Sequence, residues 1–397
     1  MDAAIRAPET DDEWREVHDL WSRAFSTRID HAKREEWLTK VDRSRGLAAY
    51  VGSDLAAAAF VRPFGQYFGG RAVPMGGFSP VAVAPEHRGR GLGSRITAAH
   101  YPSMRERGEA IATLYPASTQ LYRGVGFGLG GEYAHQRIAS RDLQRLRRPT
   151  GLAVRRLGEA DLGSVKRCYA ANAAARDGWV DRPEVWWDRV FESIAEQHLY
   201  GIEAEDGQAL SGYVRYVHRP TKPPFNYTIE VQELCALDTD VLVTLWHLVA
   251  SSSTQAPSVT WIAPHDNELL HLLPDQDFEP TGEIRWMVRL VDAHAAMAAR
   301  GFPEAVAASV DLDLPDKYCE WNAGRWRLTI EGGRGVLQRG GEGTVSVGPP
   351  ALASLFTGYA GAEVLRRAGL LASSDDRAVA ALSAAFAGPT PWCADFF

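Results

Sequence analysis

Cysteine is scarce: the four in 397 residues (Cys168, Cys235, Cys319 and Cys393) lie far apart and form no C-x-x-C pair. That spacing excludes a disulfide framework and a thiolate zinc site. The 11 histidines include no H-x-x-x-H pair, so no metal is expected. Positive charge is not in excess; the formal net charge of −7 argues against a nucleic-acid partner and is compatible with a cationic small molecule. No run of about 18 apolar residues occurs, so no membrane association through a spanning helix is expected. The opening MDAAIRAPETDDEWRE is charged where an export signal carries its apolar core, which points to a cytoplasmic protein.

What is present is ordinary globular material, 45% hydrophobic and 23% charged. At roughly 150 residues per domain the length suits two or three domains. AAIRA reads as a strand, followed by a helix carrying Trp14, Val17, Leu20, Trp21 and Phe25 at helical spacing. A second helix is expected near 31–41, then several strands, a helix over about 91–107, a strand at 111–117 and a short helix holding Leu121 and Tyr122. A basic stretch, RDLQRLRRPTG, ends this α/β unit near residue 149.

Beyond it the pattern restarts. AVRRLGEADLGSVKRCYAANA echoes AIRAPETDDEWREVHDLWSRAF, VQELCALDTDVLVTLWHLV stands where the first half has VAVAPEHRGRGLGSRITAAH, and VTWIAP echoes IATLYPA. These echoes read as an internal duplication whose second copy has lost its turn glycines. From about 285 the texture changes to glycine-turned strands and Ala/Leu-rich helices, a third, α+β unit.

Chemistry concentrates in Val81-Ala82-Val83-Ala-Pro-Glu-His-Arg88-Gly89-Arg90-Gly91-Leu92-Gly93-Ser94. A strand leads through a glycine-rich turn into a helix. Glycines there allow positive φ and close backbone approach. The free N–H groups of the first helical turn favour an anion. Arg88 and Arg90 add fork-shaped donors for phosphate oxygens. A diphosphate is the ligand this arrangement suits. The position deep in the domain does not fit a dinucleotide fingerprint, and no G-K-[ST] follows as in a P-loop.

R-G-x-G-x-G after V-x-V-x-P resembles the acetyl-CoA pyrophosphate loop of GNAT acetyltransferases. With three units, the tyrosine in Gln120-Leu-Tyr122-Arg-Gly-Val-Gly-Phe-Gly128 and the aromatic end PWCADFF, the whole chain resembles the Eis (enhanced intracellular survival) family of N-acetyltransferases. The resemblance implies a catalytic GNAT domain over 1–149, a degenerate GNAT-like domain over 150–284 and a sterol-carrier-like domain over 285–397. It implies acetyl-CoA as co-substrate, a polycationic, aminoglycoside-like amine as acceptor, and a homo-hexamer. It also implies Tyr122 as general acid and the α-carboxylate of Phe397 as general base. Trp392, Phe396 and Phe397 would then anchor the terminus. Val81, Ala82 and Val83 would pair with the pantetheine arm.

Other residues keep two readings each. Ser118 either touches the cofactor or caps a helix. Phe25 and Trp37 either line an acceptor pocket or pack in the core. Asp395 either attracts a cationic amine or is a solvated tail carboxylate. Trp179, Trp186 and Trp187 read as packing. Protein lysines or a polyamine are alternative acceptors, and a non-catalytic acyl-CoA or lipid carrier is the alternative class.

Overall fold

A computed structural model describes residues 3–192, 194–204, 207, 209–221, 225–275 and 278–397. The first unit runs β1 (Ala4–Arg6), α1 (Asp11–Ala24), α2 (His31–Lys40), β2 (Gly46–Val51), β3 (Asp54–Phe68), β4 (Arg71–Val83), α3 (Leu92–Ala99), α4 (Tyr101–Glu106), β5 (Ile111–Leu114), α5 (Thr119–Gly124) and β6 (Gly128–Ala139). α1 starts where the Thr10 hydroxyl accepts from the Glu13 amide at 3.2 Å, with Asp11, Asp12 and Glu13 in its positive first turn. It buries Trp14, Val17, Leu20 and Trp21 on one face of the sheet, while Leu92 and Ile96 of α3 pack on the other. The single helix expected over 91–107 is broken at His100. Pro102 has no N–H with which to continue the ladder.

The second unit contributes β7 (Val154–Arg156), β8 (Val180–Asp181), β9 (His198–Glu203), β10 (Leu210–Pro220), β11 (Tyr227–Ala236), β12 (Ser258–Ile262) and β13 (Phe278–Leu290). All these strands join one sheet in the order β1-β2-β3-β4-β5-β13-β6-β12-β11-β10-β9-β7, with β8 paired to β3. The two units have exchanged strands: β13 lies between β5 and β6, and β6 lies between β13 and β12. The boundary expected at 284/285 therefore falls inside β13, whose last residues, Met287–Leu290, pair with Leu114–Ile111 of the first unit. A division after Leu290 keeps β13 whole, with both of its neighbours, β5 and β6, in the first unit.

Two openings interrupt the sheet. β4 and β5 pair only from Met75–Gly77 to Ile111–Thr113 and then part. A register shift at Phe78–Val81 bulges β4 where it leaves its neighbour. β11 and β12 repeat this, pairing only at Thr228–Glu230 with Ser258–Thr260.

The third unit has β14 (Ala308–Leu314), β15 (Gly324–Glu331), β16 (Arg334–Arg339), β17 (Val345–Val347) and β18 (Leu371–Ala372), in the order β16-β15-β14-β17-β18. It docks on the first unit through close backbone approach. A Cβ at Gly128 would meet the Pro350 carbonyl oxygen at 1.9 Å, and one at Gly69 would meet that of Gly301 at 2.2 Å. One apolar core includes Phe64 and Met75, Trp186, Phe386 and Phe397, so it draws on all three units. Among the described residues no helix is long and apolar enough to cross a membrane.

Residues 1–149 expressed alone would lack β13 and leave facing edges of β5 and β6 unpaired. Size-exclusion chromatography is expected to show aggregated fragment. A monodisperse, folded fragment would contradict the exchanged-strand account.

Candidate active site

The turn into α3 is open on one side. Gly89 and Gly91 have φ of +76° and +72°, and a Cβ at either would meet nothing within 4 Å. Gly93 differs: its Cβ would lie 2.9 Å from Leu121, so this glycine lets α3 pack against α5. The first α3 hydrogen bond runs from the Arg95 amide to the Gly91 carbonyl. The amides of Leu92, Gly93 and Ser94 thus have no acceptor in the helix. Arg88 donates to the Val83 carbonyl at 3.4 Å, and Arg90 lies 3.4 Å from His87 Nδ1; both side chains are exposed. On the parting stretch of β4, Ala82 and Val81 pair with Ala58 and Ala59 of β3, leaving the opposite edge without a strand.

Tyr122 sits on α5, on the α3 side of the sheet, within a cluster with Val61, Phe78, Tyr101 and Phe127. Its ring meets Phe127 edge-on at 5.7 Å. Burial pushes its pKa up to about 12, so the hydroxyl stays protonated at neutral pH. The buried hydroxyls of Tyr101 and Tyr169 donate to backbone carbonyls, but that of Tyr122 bonds to no described residue. Ser118 stands at the N-cap of α5 without a capping hydrogen bond, and its side chain is exposed.

The chain end lies on the opposite, α1 side. The Glu132 amide donates to the Pro391 carbonyl at 2.9 Å and the Cys393 amide to the Glu132 carbonyl at 3.2 Å, so the tail runs along β6. The Trp392 amide donates to the Asp177 carbonyl, and its ring meets Trp179 at 5.1 Å. The Tyr115 hydroxyl donates to the Asp395 carbonyl at 2.6 Å. The Phe397 ring packs 5.0 Å from Phe64 and 5.5 Å from Tyr115. A Cβ at Gly77, the last β4 residue paired to β5, would lie 2.9 Å from that ring. The terminal residue is thereby held beside the parting of β4 and β5. Among the described residues, no cation lies within ion-pair distance of its carboxylate.

Sequence comparison matches residues 5–130 and 178–290 to acetyltransferase (GNAT) domains and 293–394 to a sterol carrier protein domain. An uncharacterized N-acetyltransferase of Streptomyces avermitilis is 30% identical, with 81% of each chain covered. The chain is also similar to the N-acetyltransferase Eis of Mycobacterium tuberculosis, at 25% identity over 96% of each chain. The crystal structure of a GCN5-related N-acetyltransferase from Kribbella flavida superposes with a TM-score of 0.84 and 31% identity, covering 100% of this chain and 99% of that one. The chain belongs to the Eis-type GNAT N-acetyltransferases.

In this Eis-type chain two sequence assignments are corrected, those of Asp395 and Phe396. Asp395 is neither solvated nor available to an amine. It is buried, and Arg182 Nε donates to its two carboxylate oxygens at 3.0 and 3.1 Å while Trp186 Nε1 donates to Oδ1 at 2.8 Å. Arg182 also pairs with buried Glu233 on β11, and lies 3.9 Å over the Tyr169 ring. Burial lowers the affinity of Arg182 for its proton, but Asp395 and Glu233 outweigh that and hold it firmly charged. Phe396 is 51% exposed and touches Tyr115 and Tyr133, so Trp392 and Phe397 do the anchoring. Trp37 is half-buried and packs against Trp14, His18 and Trp21. Phe25 ends α1 with 55% of its surface exposed. Glu132, His265 and Glu283 come together within 4.8 Å, though Arg285 already pairs with Glu283 at 2.6 Å.

The residues that hold the tail were missed in the sequence. Arg182 and Glu233 look like any charged residues of the second unit. Gly77 did leave a signal: two consecutive glycines inside a strand, MGGF, mark close approach by another group.

Asp395→Ala strands a buried guanidinium with only Glu233, a loss of about 3 kcal/mol for a broken buried pair. Denaturant unfolding is expected to show that loss, and Arg182→Met/Asp395→Ala to cost less than the two single changes summed. Strict additivity would show that the pair is not coupled.

Proposed function

We propose that the chain transfers the acetyl group of acetyl-CoA to an amine, with the Phe397 α-carboxylate as base and Tyr122 as acid. The observation that carries this reading is the locked terminus, its last ring seated on Gly77 where β4 and β5 part. Tyr122, with its free hydroxyl, waits on the other side of the sheet. Acetyl-CoA suits the opening beside α3: Leu92, Gly93 and Ser94 amides with Arg88 and Arg90 for the diphosphate, and the free edge of Val81–Val83 for the amide-bearing arm. Ser118 lies close by in sequence to the α5 turn and adds a free hydroxyl.

The amine must lose a proton to become nucleophilic. An α-carboxylate, whose reference pKa is about 3.5, can accept that proton directly or through water. As nitrogen bonds to the acetyl carbon the carbon–sulfur bond breaks, and the departing thiolate needs a proton. Against a thiol pKa of about 8.5, full transfer from Tyr122 would be uphill by about 5 kcal/mol. The hydroxyl therefore acts first as a hydrogen-bond donor to sulfur, the proton following as charge develops there. A polycationic, aminoglycoside-like acceptor would need carboxylates for its remaining ammonium groups, and Asp395 cannot serve. The proposal accordingly rests on one reacting amine.

Adding a few residues after Phe397 is expected to lower kcat by about 10²–10⁴-fold, the usual cost of losing a proton-transfer group, with acetyl-CoA affinity little changed. Tyr122→Phe should lower kcat and spare binding, while Phe397→Leu, which keeps the carboxylate, should be milder than the extension. Thiol release measured with a dye across a panel of amines checks all three. Full turnover by a C-terminally extended protein would show the terminus to be packing alone.

A further inference from the structure

Arg62 occupies the middle of β3, directly opposite Gly77. Residues paired across two strands share a face. The face at Gly77 is the one on which the Phe397 ring lies, so Arg62 stands beside the terminal residue. Phe60 and Phe64 flank it, and its guanidinium carbon is 5.8 Å from the Phe60 ring centre. Nε is buried and has no hydrogen-bond partner, and the two terminal nitrogens, equally unpartnered among the described residues, remain accessible.

A second cation converges on the same place. Arg189, on the helix Glu184–Phe191 of the second unit, stacks 4.7 Å from the Trp186 ring, which meets Phe64 at 5.1 Å. It has no ion pair among the described residues. Burial, and then repulsion from Arg189, push the pKa of Arg62 down to about 10. Nearby Asp188 and Glu192 act instead on Lys40 of α2.

The buried arginines elsewhere each have at least one polar partner, Arg215 donating to Gln197 and Gln232. Arg182 has Asp395 and Glu233, Arg289 has Asp316, Arg45 has Glu109, and Arg300 donates to the Phe356 carbonyl. A recessed cation without a counter-ion costs free energy. Arg62, by contrast, has neither an ion pair nor a hydrogen bond among the described residues, and it sits at the proposed acceptor face.

We propose that Arg62, assisted by Arg189, is an anion subsite for the acetyl acceptor, so that the amine acetylated here also carries a carboxylate. This rests on the acceptor reading of that face. With Nε sealed, the two terminal nitrogens present the edge that matches a planar carboxylate bidentately. The half-exposed Phe396, on the Tyr115 ring that also meets Phe397, offers apolar contact to the rest of the molecule.

The test uses matched pairs differing only in the anion: L-phenylalanine against phenethylamine, and O-phosphoethanolamine against ethanolamine, with spermine as the polycation. Calorimetry on the coenzyme A-saturated full chain reads binding without chemistry, and thiol release reads turnover. L-Phenylalanine is expected to bind about 10- to 100-fold more tightly than phenethylamine, the range for a hydrogen bond to a charged group. Arg62→Gln should erase that difference and leave phenethylamine and acetyl-CoA binding unchanged, with Arg62→Lys between. Its melting temperature should equal or exceed that of the parent, which a packing residue's loss would not give. Equal binding of the twins, tightest binding of spermine, or equal weakening of both twins by Arg62→Gln would overturn the subsite. A preference confined to the phosphate pair would overturn the carboxylate. Discrimination in binding with no amine turned over would instead count against the acetyl-transfer reading.

Discussion

Arg182 lies buried between two carboxylates, Asp395 near the end of the chain and Glu233 on β11, and the placement of the terminus follows from that arrangement. Burying one cation with two anions leaves an excess negative charge. The fold offsets it with donors from Trp186 to Asp395 and Tyr213 to Glu233, and with the nearby charge of Arg215. Such a cluster is not a cheap source of stability, because desolvation consumes most of the attraction. What it gives is position. A chain end held only by two aromatic rings could slide; one held by a charged, hydrogen-bonded side chain two residues back has one seat.

This gives the second repeat a role that its lost glycines would not suggest. Its splay between β11 and β12 keeps the GNAT geometry, but Glu233 on the parted stretch of β11 reaches the tail through Arg182. Trp392 and Ala394 line a pocket with Glu233, Trp246 and Trp261 there. The exchange of β6 and β13 fixes this receptor against the first unit, because each unit's sheet is completed by the other's strand. The third unit supplies the terminus and is itself keyed to the first at Gly128 and Gly69, where any side chain would strike backbone. Three units thus meet at the end of the chain, where the proposed base lies.

Much of this was legible in the sequence where local chemistry dictates local geometry. The positive φ of Gly89 and Gly91, the short helix around Tyr122 and the repeated strand–helix units follow from residue type and spacing. The aromatic tail announced that it would be tied down. Other features are set by contacts between distant segments and leave little local trace. Asp395 cannot be told from a solvated acid until Arg182, more than two hundred residues earlier, is seen to bond it. The strand exchange is invisible because β13 has an ordinary strand composition, whichever sheet it joins. Nothing in the sequence singles out Arg62, and its lack of a partner among the described residues is a fact of three dimensions.

The central claim is that the negative charge at the very end of the chain does chemistry, and one substitution isolates it. Expressed-protein ligation can replace the α-carboxylate of Phe397 by a carboxamide, leaving every side chain and the length unchanged. The account predicts unaltered acetyl-CoA affinity and melting temperature, with kcat for an accepted amine reduced by about 10²-fold or more. Equal turnover by the amide and the acid would contradict it.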